Sequence, residues 1–321
     1  MTTRTLTAPR PGPISLSVDL PAGDIRVIAD PSRTCAEVTV TAHGDDPAVH
    51  DAVRDAVLRW YEATGNLTVR VNPPAGVTVV GGTQSVIGDR GATVVQSFSD
   101  IPGGVTVTGF VIGNVVQVGG RVTVNGVEIT GGAVAASGRV EITARVPEGT
   151  SVAAATRSAS LECAGELAEV DFTSTSGDLT AGGVGALRAK TTSGDVSAAV
   201  VDGAAAAASV SGDLYFGRAD DVYASTTSGD ITVNDFAGRA EVATVSGDVR
   251  VRAAEGGAIT ARSVSGDVTV TATGVALAEG LTVDAASRIG RVTTPTTAPA
   301  ATPPAPRARR PRRTDDTHGR K

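Results

Sequence analysis

The sequence is poor in aromatic residues, cysteine and histidine, and each shortage excludes a class of protein. Aromatic residues make up 3% of the 321 residues, so the core cannot rely on large rings. Two cysteines, Cys35 and Cys163, are too few for a disulfide framework. The three histidines are His43, His50 and His318. All three lie outside the repeats described below, so no Ser-His catalytic arrangement can be built there from sequence neighbours.

Long apolar runs and a signal sequence are also absent. No run approaches the ~20 apolar residues that a membrane span needs. The first residues lack the charged, apolar and small-residue pattern of a secretory signal. Gly81-Gly82 and Gly103-Gly104 lack the lysine and helix start of a phosphate-binding loop. These absences predict a cytoplasmic, non-enzymatic protein without a cofactor or a transmembrane segment.

What the sequence does contain is a repeat. Ser-Gly-Asp followed by an aliphatic residue occurs six times, at spacings of 17, 18, 17, 18 and 19 residues. The turn residues are Ser176, Gly177, Ser193, Gly194, Ser211, Gly212, Ser228, Gly229, Ser246, Gly247, Ser265 and Gly266. A near-constant period of this length indicates stacked structural units, because one unit cannot bury its apolar face alone.

Apolar and small residues alternate with polar ones on both sides of each Ser-Gly-Asp. Val170 and Phe172 precede the first turn, and Leu179 and Ala181 follow it. This period of two predicts strand, turn and strand with one buried face. A second break, such as Gly182-Gly183, ends each pair of strands. The fold class is therefore all-β, a β-solenoid-like stack of short two-strand coils; the alternative is a β-sandwich-like arrangement of short strands.

The turn residues have predicted roles of their own. Glycine fits a position of positive φ, and Ser and Asp can bond backbone donors in a tight turn. Looser copies of the repeat occur at Ser158-Ala159-Ser160, at Ser137-Gly138-Arg139 and at Ala22-Gly23-Asp24. In the Ser158 copy Cys163 takes an inward place, where a thiol is simply a small hydrophobe.

Composition divides the chain into four segments. Residues 1–75 hold strands and a short helix over about 47–64, begun by Asp46-Pro47 and carrying the apolar stripe Val49, Val53, Val57 and Trp60. Residues 76–133 are rich in Gly, Val and Thr and predict further strands and loops. Residues 134–291 form the repeat domain. Residues 292–321 are a Pro, Ala and Thr tail, predicted to be disordered because it lacks periodic apolar residues.

The tail carries a cluster of arginines. Residues 301–321 hold six Arg and one Lys against two Asp, so the tail carries +5 and the rest of the chain −11. The cluster consists of Arg307, Arg309, Arg310, Arg312 and Arg313. A basic tail on an acidic body can attract nucleic acid, anionic lipid or the body itself, and it can also be a solvated, solubilising segment.

Stacking the coils would place the repeat aspartates along one corner. These are Asp178, Asp195, Asp213, Asp230, Asp248 and Asp267. Adjacent coils lie ~4.8 Å apart, so the row must be relieved by splaying, by backbone N–H groups or by cations. Backbone hydrogen bonding is the simplest relief. A calcium ladder is the alternative, although each coil offers one carboxylate where calcium wants six to eight oxygens.

Other polar residues are weaker candidates for chemistry. His43 and His50 flank Asp45 and Asp46 without a further clustered ligand, which is a poor metal site. Four basic residues occupy outward positions of the repeats and show no convergence in the sequence. They are Arg188, Lys190, Arg250 and Arg262.

The phrases TTSGDV, TTSGDI and SVSGDV, preceded by VEITARVPEGTSVAAAT, resemble a bacterial family called "putative adhesin" or toastrack, a domain of unknown function. The resemblance covers 134–272 strongly and 14–75 in part, including Gly23-Asp24-Ile25 and Val146-Pro147-Glu148-Gly149. It implies a β-strand stack without assigned catalytic residues, and a link to envelope or stress functions. Some relatives carry a membrane segment, which this sequence lacks.

Together these observations predict a non-enzymatic β-repeat scaffold that binds another protein or a copy of itself. Exposed solenoid ends favour end-to-end assembly, with the N-terminal helix as a candidate cap. One alternative is a surface adhesin that contacts carbohydrate through its Ser/Thr/Asp corner. A second is a regulatory protein whose basic tail contacts nucleic acid.

Overall fold

The Ser-Gly-Asp repeats form the coils of a β-solenoid in the computed structural model. It describes residues 2–72 and 138–295 and, between them, the backbone of five short strands. Each coil contributes one long strand that runs from one turn to the next, and the first of these strands begins at the looser copy Ser158-Ala159-Ser160. These strands are β14 (Ser160–Thr173), β15 (Leu179–Lys190), β16 (Val196–Ala208), β17 (Leu214–Ser225), β18 (Ile231–Thr244) and β19 (Val249–Ser265).

Consecutive coils stack in parallel and in register, which confirms the predicted solenoid. Leu179 pairs with Val196, which pairs with Leu214 one coil further on. The register shifts in the middle of each strand, for example between Val184 and Leu187 of β15. There the chain turns a corner, so each long strand has two halves. The sandwich alternative is wrong for the repeats, because sequence-adjacent strands lie one above the other.

The two halves of every coil form two opposite faces. Face A is the stack of residues that follow each Ser-Gly-Asp turn, and face B is the stack that precedes the next turn. The predicted inward positions are buried on both faces, among them Leu179, Ala181, Leu187 and Ala189 at 3% exposure or less. Period-two alternation identifies them because neighbouring strand residues point to opposite sides of a sheet.

A further buried column, which a period of two does not predict, fills the corner between the faces. It consists of Leu167, Val184, Val201, Ala219, Phe236 and Ala253. Phe236, Phe216 and Phe172 are the largest fully buried side chains of a core made mainly of Ala, Val and Leu. Small inward residues in most coils keep the two faces close together. The three phenylalanine rings fill the interior of the coils that carry them.

The N-terminal segment contributes one further coil, which stacks on the repeats although it is distant from them in the sequence. Its elements are β1 (Thr3–Thr7), β2 (Ser15–Leu20), β3 (Asp24–Ala29), β4 (Glu37–Gly44), α1 (Pro47–Arg54), β5 (Val57–Tyr61) and β6 (Asn66–Arg70). The looser copy predicted at Ala22-Gly23-Asp24 joins β2 to β3. Strand β2 lies parallel between β6 and β13 (Ser151–Thr156). Strand β3 lies parallel between β12 (Gly138–Val146) and β14.

The N-terminal helix is shorter than the predicted 47–64. As predicted, it begins at Asp46-Pro47, where Asp46 Oδ1 accepts from Ala48 N at 2.9 Å. It ends at Arg54, and Val57–Tyr61 is instead a strand antiparallel to β6. Val57 and Trp60 favour strand, as β-branched and aromatic residues do. Val57 is 36% exposed, so it does not continue the buried stripe of Val49 and Val53.

The two ends of the stack differ. At the N-terminal end, antiparallel pairs β1–β4 and β5–β6 terminate the parallel faces, and α1 packs on β1, β4 and β12. At the C-terminal end, β20 (Val268–Ala272), α2 (Gly274–Ala278), β21 (Thr282–Ile289) and β22 (Val292–Thr293) follow β19. Strand β21 pairs with β19 and β22 with β20, both in parallel.

Five short strands lie between the two described ranges. Strands β7 (Ser97–Phe98) and β8 (Val105–Thr106) form an antiparallel pair. Strands β9 (Val115–Val118), β10 (Arg121–Val124) and β11 (Val127–Ile129) form an antiparallel sheet. All five lie within 76–133, the segment for which strands and loops were expected. The four segment boundaries stay predictions. The arginine cluster of the tail lies outside the described residues.

Candidate interaction surfaces

The Ser-Gly-Asp turns lie directly above one another in what we call the turn column. The backbone ladder continues through them: Ser193 N donates to Thr175 O at 2.8 Å, and Ser228 N donates to Val210 O at 2.8 Å. The buried Ser or Thr two residues before each turn satisfies backbone groups of the column. Thr191 Oγ1 accepts from Gly194 N at 2.8 Å, whereas Thr244 Oγ1 donates to Gly229 O at 3.1 Å.

The turn glycines are required by close approach, not by backbone conformation. The expectation of positive φ is wrong for them, since the positive-φ glycines include Gly23, Gly149 and Gly165 but no glycine of the six turns. Instead, a Cβ at Gly212 would lie well under 3.0 Å from the carbonyl oxygen of Gly194 in the coil below. The same holds at each successive turn. Glycine therefore sets how closely the turns stack.

The aspartates of the turn column form a continuous ladder of hydrogen bonds. Asp178 Oδ1 accepts from Asp195 N at 2.9 Å, and Asp195 Oδ1 accepts from Asp213 N at 2.8 Å. The ladder continues through Asp230, Asp248 and Asp267 at 2.8 Å each. Arg291 N then bonds Asp267 Oδ1, also at 2.8 Å. Backbone N–H groups thus relieve the row of carboxylates, the simplest of the reliefs considered above.

Cations relieve the row at one place as well. Arg250 bridges two coils, with Nη1 3.2 Å from Asp230 Oδ2 and Nη2 2.7 Å from Asp248 Oδ2. Among the described residues, no three His, Cys, Asp or Glu side chains are grouped to hold a metal ion. Calcium binding by the ladder stays a prediction, and it could use only the carboxylate oxygens that the backbone leaves over.

The outer edge of the turn column is less polar than the sequence suggested. The residue just before each turn serine is threonine in three coils and valine in three, and the valines Val210, Val245 and Val264 are 41–47% exposed. The predicted Ser/Thr/Asp corner for carbohydrate therefore presents valine in three coils. Each aspartate also commits one oxygen to the backbone. The polar groups of this corner mainly bond one coil to the next, and few of them are left to bind a ligand.

Face B carries a depression, which we call the face B groove. Its volume is about 560 Å³. Its floor is Ala206 and Ala208 of β16, which are half-buried. Arg188 and Lys190 of β15 lie on one side, and Tyr223 of β17 lies on the other. Asp171 and Glu241 line it one strand further out on each flank.

The groove corrects the expectation that the outward basic residues do not converge. Arg188 and Lys190 come together on its wall. Arg250 lies on face A beside the aspartate ladder, and Arg262 pairs with Asp284 at the C-terminal end. Arg188 Nη1 also lies 3.0 Å from Glu169 Oε1. The groove was missed because its residues belong to successive repeats and meet only when the coils are aligned.

The family described as Toastrack DUF4097 matches residues 14–302, which is most of the chain. The chain belongs to the toastrack family. The family match also spans 76–133, which the motif resemblance left uncovered. No curated protein matches this toastrack chain.

Three solved structures resemble the toastrack chain at low similarity. One is described as a "putative adhesin" from Parabacteroides merdae, with a TM-score of 0.36 and 10% identity over 92% of this chain and 95% of that one. A "putative adhesin" from Parabacteroides distasonis has a TM-score of 0.29 and 9% identity over 91% and 97%. A "putative cell adhesion protein" from Clostridium sporogenes has a TM-score of 0.24 and 7% identity over 92% and 99%.

The cytoplasmic location expected for the toastrack chain is corrected by this comparison. The three structures are described as adhesins or a cell adhesion protein, which are usually extracellular or on the cell surface. The expectation rested on the absence of a recognisable signal, and such an absence does not fix a location. The likeness is too low to supply another location in its place. No helix among the described residues has the length and apolar character for crossing a membrane.

The remaining reactive side chains of the toastrack chain have structural surroundings. Cys163 is buried as predicted, and burial, assisted by the charge of Glu162, raises the pKa of its thiol to about 12. His43 Nε2 lies 2.6 Å from Glu141 Oε2, without hydrogen-bond alignment. His50 lies 2.8 Å from Thr2 Oγ1 and 2.9 Å from Gly44 O. The two histidines thus have separate partners and share no site.

Replacing Asp213 tests the ladder of the toastrack turns. Asp213→Ala removes the acceptor of Asp230 N–H and should lower the free energy of unfolding by about 1–2 kcal/mol, as the loss of a helix cap does. Asp213→Asn keeps an acceptor oxygen and should cost less than half as much. Urea denaturation followed by circular dichroism measures both. Equal losses for the two variants would show that charge, not hydrogen bonding, is what Asp213 supplies.

Proposed function

We propose that the chain is a non-enzymatic β-repeat scaffold that assembles with a second copy through the open C-terminal end of its stack. The observation that carries the proposal is the difference between the two ends. At the N-terminal end the antiparallel strands and α1 complete the core, and their inward residues Leu67, Val38 and Val53 are 0% exposed. At the C-terminal end the inward row of the last coil is only half-buried.

The half-buried row consists of Leu281, Val283 and Ala285, which pack against the core from one side only. Ile289 and Val292 beside them are 68% and 39% exposed. Among the described residues, strand β21 pairs with β19 alone, so no described strand covers its other edge. A free edge with an apolar row favours pairing with another strand. Covering it would bury the row in the same way that each coil buries the one before it.

A second copy fits this edge because β21 is self-complementary. Antiparallel pairing about Ala286 sets Asp284 opposite Arg288 of the copy, and Val283 opposite Ile289. Opposite charges across a strand pair contribute roughly 0.2–1 kcal/mol each. The Arg262 side chain, by hydrogen bonding, lowers the pKa of the Asp284 carboxyl below its ordinary value, so Asp284 is charged at neutral pH. Two-fold pairing of this kind closes on itself and leaves no free end.

A role without catalysis is supported by the hydrogen bonds of the turn aspartates, which are structural. The carboxylates of the turn column accept backbone N–H groups, and the family is a domain of unknown function. The regulatory alternative depends on the arginine cluster of the tail, so it stays a prediction. Salt-dependent DNA binding that disappears on removal of residues 301–321 would support it.

The test is the mass of the full chain in solution by light scattering. The wild type should elute at twice 32.0 kDa. Ala285→Lys, which places a charge in the inward row, and Arg288→Asp, which opposes like charges, should elute at 32.0 kDa. Ala155→Lys makes the first substitution at an exposed site of β13 and should leave the dimer intact. A wild type that is monomeric at about 100 µM, far above the Kd of a specific complex, would overturn the proposal.

A further inference from the structure

The face B groove contains the one cation of the central coils that has no ion pair. From Leu179 to Ser265, all of which the structure describes, each arginine lies within 4 Å of a carboxylate. The pairs are Arg188–Glu169, Arg218–Asp202, Arg239–Glu241, Arg250–Asp230 and Arg252–Asp235, with Arg262–Asp284 at the end. Lys190 is exposed and has no such partner among the described residues.

A depression on face A differs from the groove because its cations are paired with its own acids. It has a volume of about 420 Å³ and is also lined by charged side chains. There Arg26 Nη2 lies 2.9 Å from Glu162 Oε2, and Arg139 Nη1 lies 3.1 Å from Asp24 Oδ2. Its cations are occupied by its own acids. The face B groove differs because Lys190 is left for a ligand.

The opposite side of the groove offers a flat apolar surface. Tyr223 is 42% exposed, in a chain whose aromatic content is 3%. Between it and Lys190 lies one strand of alanine, so the gap spans two inter-strand spacings, about 10 Å. An aromatic ring presents an apolar face together with a polar hydroxyl. A ring-shaped ligand of moderate size can therefore lie on the alanine floor, against the tyrosine.

We propose that the face B groove binds an acidic saccharide, with the carboxylate of the sugar at Lys190 and Arg188 and the apolar face of the sugar ring against Tyr223. Arg188 uses Nη1 for Glu169, which leaves further N–H donors of its guanidinium for a ligand. Asp171 and Glu241 at the flanks accept hydrogen bonds from sugar hydroxyl groups. The carbohydrate surface is thus placed on face B and not at the turn corner.

An extended acidic peptide fits the same groove less well. Peptide strands gain their main-chain hydrogen bonds at the edge of a sheet, and the groove lies on the face of central strands whose backbone groups already pair. A row of peptide carboxylates would also approach Asp171 and Glu241, which repel them. A sugar ring brings one negative charge and several hydroxyl groups, which matches two cations flanked by two acids.

The experiment is calorimetric titration of the full chain with three acidic probes. These are oligosaccharides that contain galacturonic acid, glucuronic acid or sialic acid. At least one should bind with a Kd of about 1 mM or below, and more weakly as salt is added. The neutral galactose oligomer and polyglutamate should bind at least about tenfold more weakly, a difference of 1.4 kcal/mol.

Matched variants locate the site. Lys190→Ala and Tyr223→Ala should each weaken binding by about tenfold. Their controls on face A are Arg252→Ala, a paired cation, and Tyr215→Ala, a tyrosine that is 41% exposed. Both controls should bind as the wild type does. The proposal is overturned if none of the three acidic probes binds, if polyglutamate binds more tightly, or if the controls lose as much affinity as the groove variants.

Discussion

Gly212→Ala should lower the free energy of unfolding by about 3–5 kcal/mol, at the upper end of what single substitutions do. The new Cβ would meet the carbonyl oxygen of Gly194 in the coil below. The obstacle is backbone in two adjacent turns, so no side chain can rotate out of the way. Because each coil contacts mainly its neighbours, the strain should also separate the unfolding of the coils before and after Gly212.

Gly274→Ala is the control for this substitution. Gly274 begins α2, has nothing within 4 Å of its added Cβ and does not have a positive φ. Alanine there should be neutral or should stabilise by about 0.4–1 kcal/mol through the unfolded chain. Urea denaturation followed by circular dichroism and by tyrosine fluorescence measures both variants. If Gly212→Ala lost less than about 1 kcal/mol, the turns would not be stacked as closely as described.

Phe216→Ala should cost about 3–5 kcal/mol, because truncating a buried ring loses its burial and leaves a cavity. Phe216 is 0% exposed and lies between Ala198 and Val233 of the adjacent coils. Small neighbours on a rigid ladder cannot move inward to fill the space. Phe216→Leu should lose less than half as much free energy of unfolding as Phe216→Ala, because leucine still fills much of the volume of the ring.

The neighbouring residue provides the comparison for the buried ring. Tyr215 precedes Phe216 in β17 and points outward, where Asn234 Nδ2 donates to its hydroxyl at 2.8 Å. Tyr215→Ala should therefore cost less than about 1 kcal/mol. Thermal unfolding of the two alanine variants separates the inner from the outer position. A Tyr215→Ala loss as large as that of Phe216→Ala would contradict the assigned inside and outside of the coil.

The coils could be predicted from the sequence because alternation reports burial directly. Leu179, Ala181 and the corresponding residues of later coils are inward at fixed offsets from the turn. The corner column breaks this alternation, because Val184, Val201 and Phe236 stand at an even offset of eight residues from their turn serines, whereas the inward residues after each turn stand at +3 and +5. The end of α1 was missed because a spacing that suits a helix stripe also occurs in VLRWY, where strand pairing with β6 decides the conformation.

The surfaces were harder to predict than the core. The sequence cannot show whether a turn glycine is required by a positive φ or by close approach of another backbone. Only the position of the stacked coil distinguishes these two reasons. The aspartate ladder was expected because spacing alone brings its members together. The face B groove depends on which outward residues are large and which are small in three consecutive coils. No single repeat contains it, so the motif that defines the fold says nothing of it.

The position of the first coil determines the order in which the protein can fold. Strand β2 can pair early with β6, but its other neighbour β13 and both neighbours of β3, which are β12 and β14, are available only after residues 138–173 have emerged. Coils β14 to β19 pair with partners 17–19 residues away, and short loops close faster and at lower entropic cost. Folding should thus start in the middle of the chain and spread along the repeats. Strands β2 and β3 would pair with β12, β13 and β14 late in folding, and until then their apolar residues would be exposed on this side.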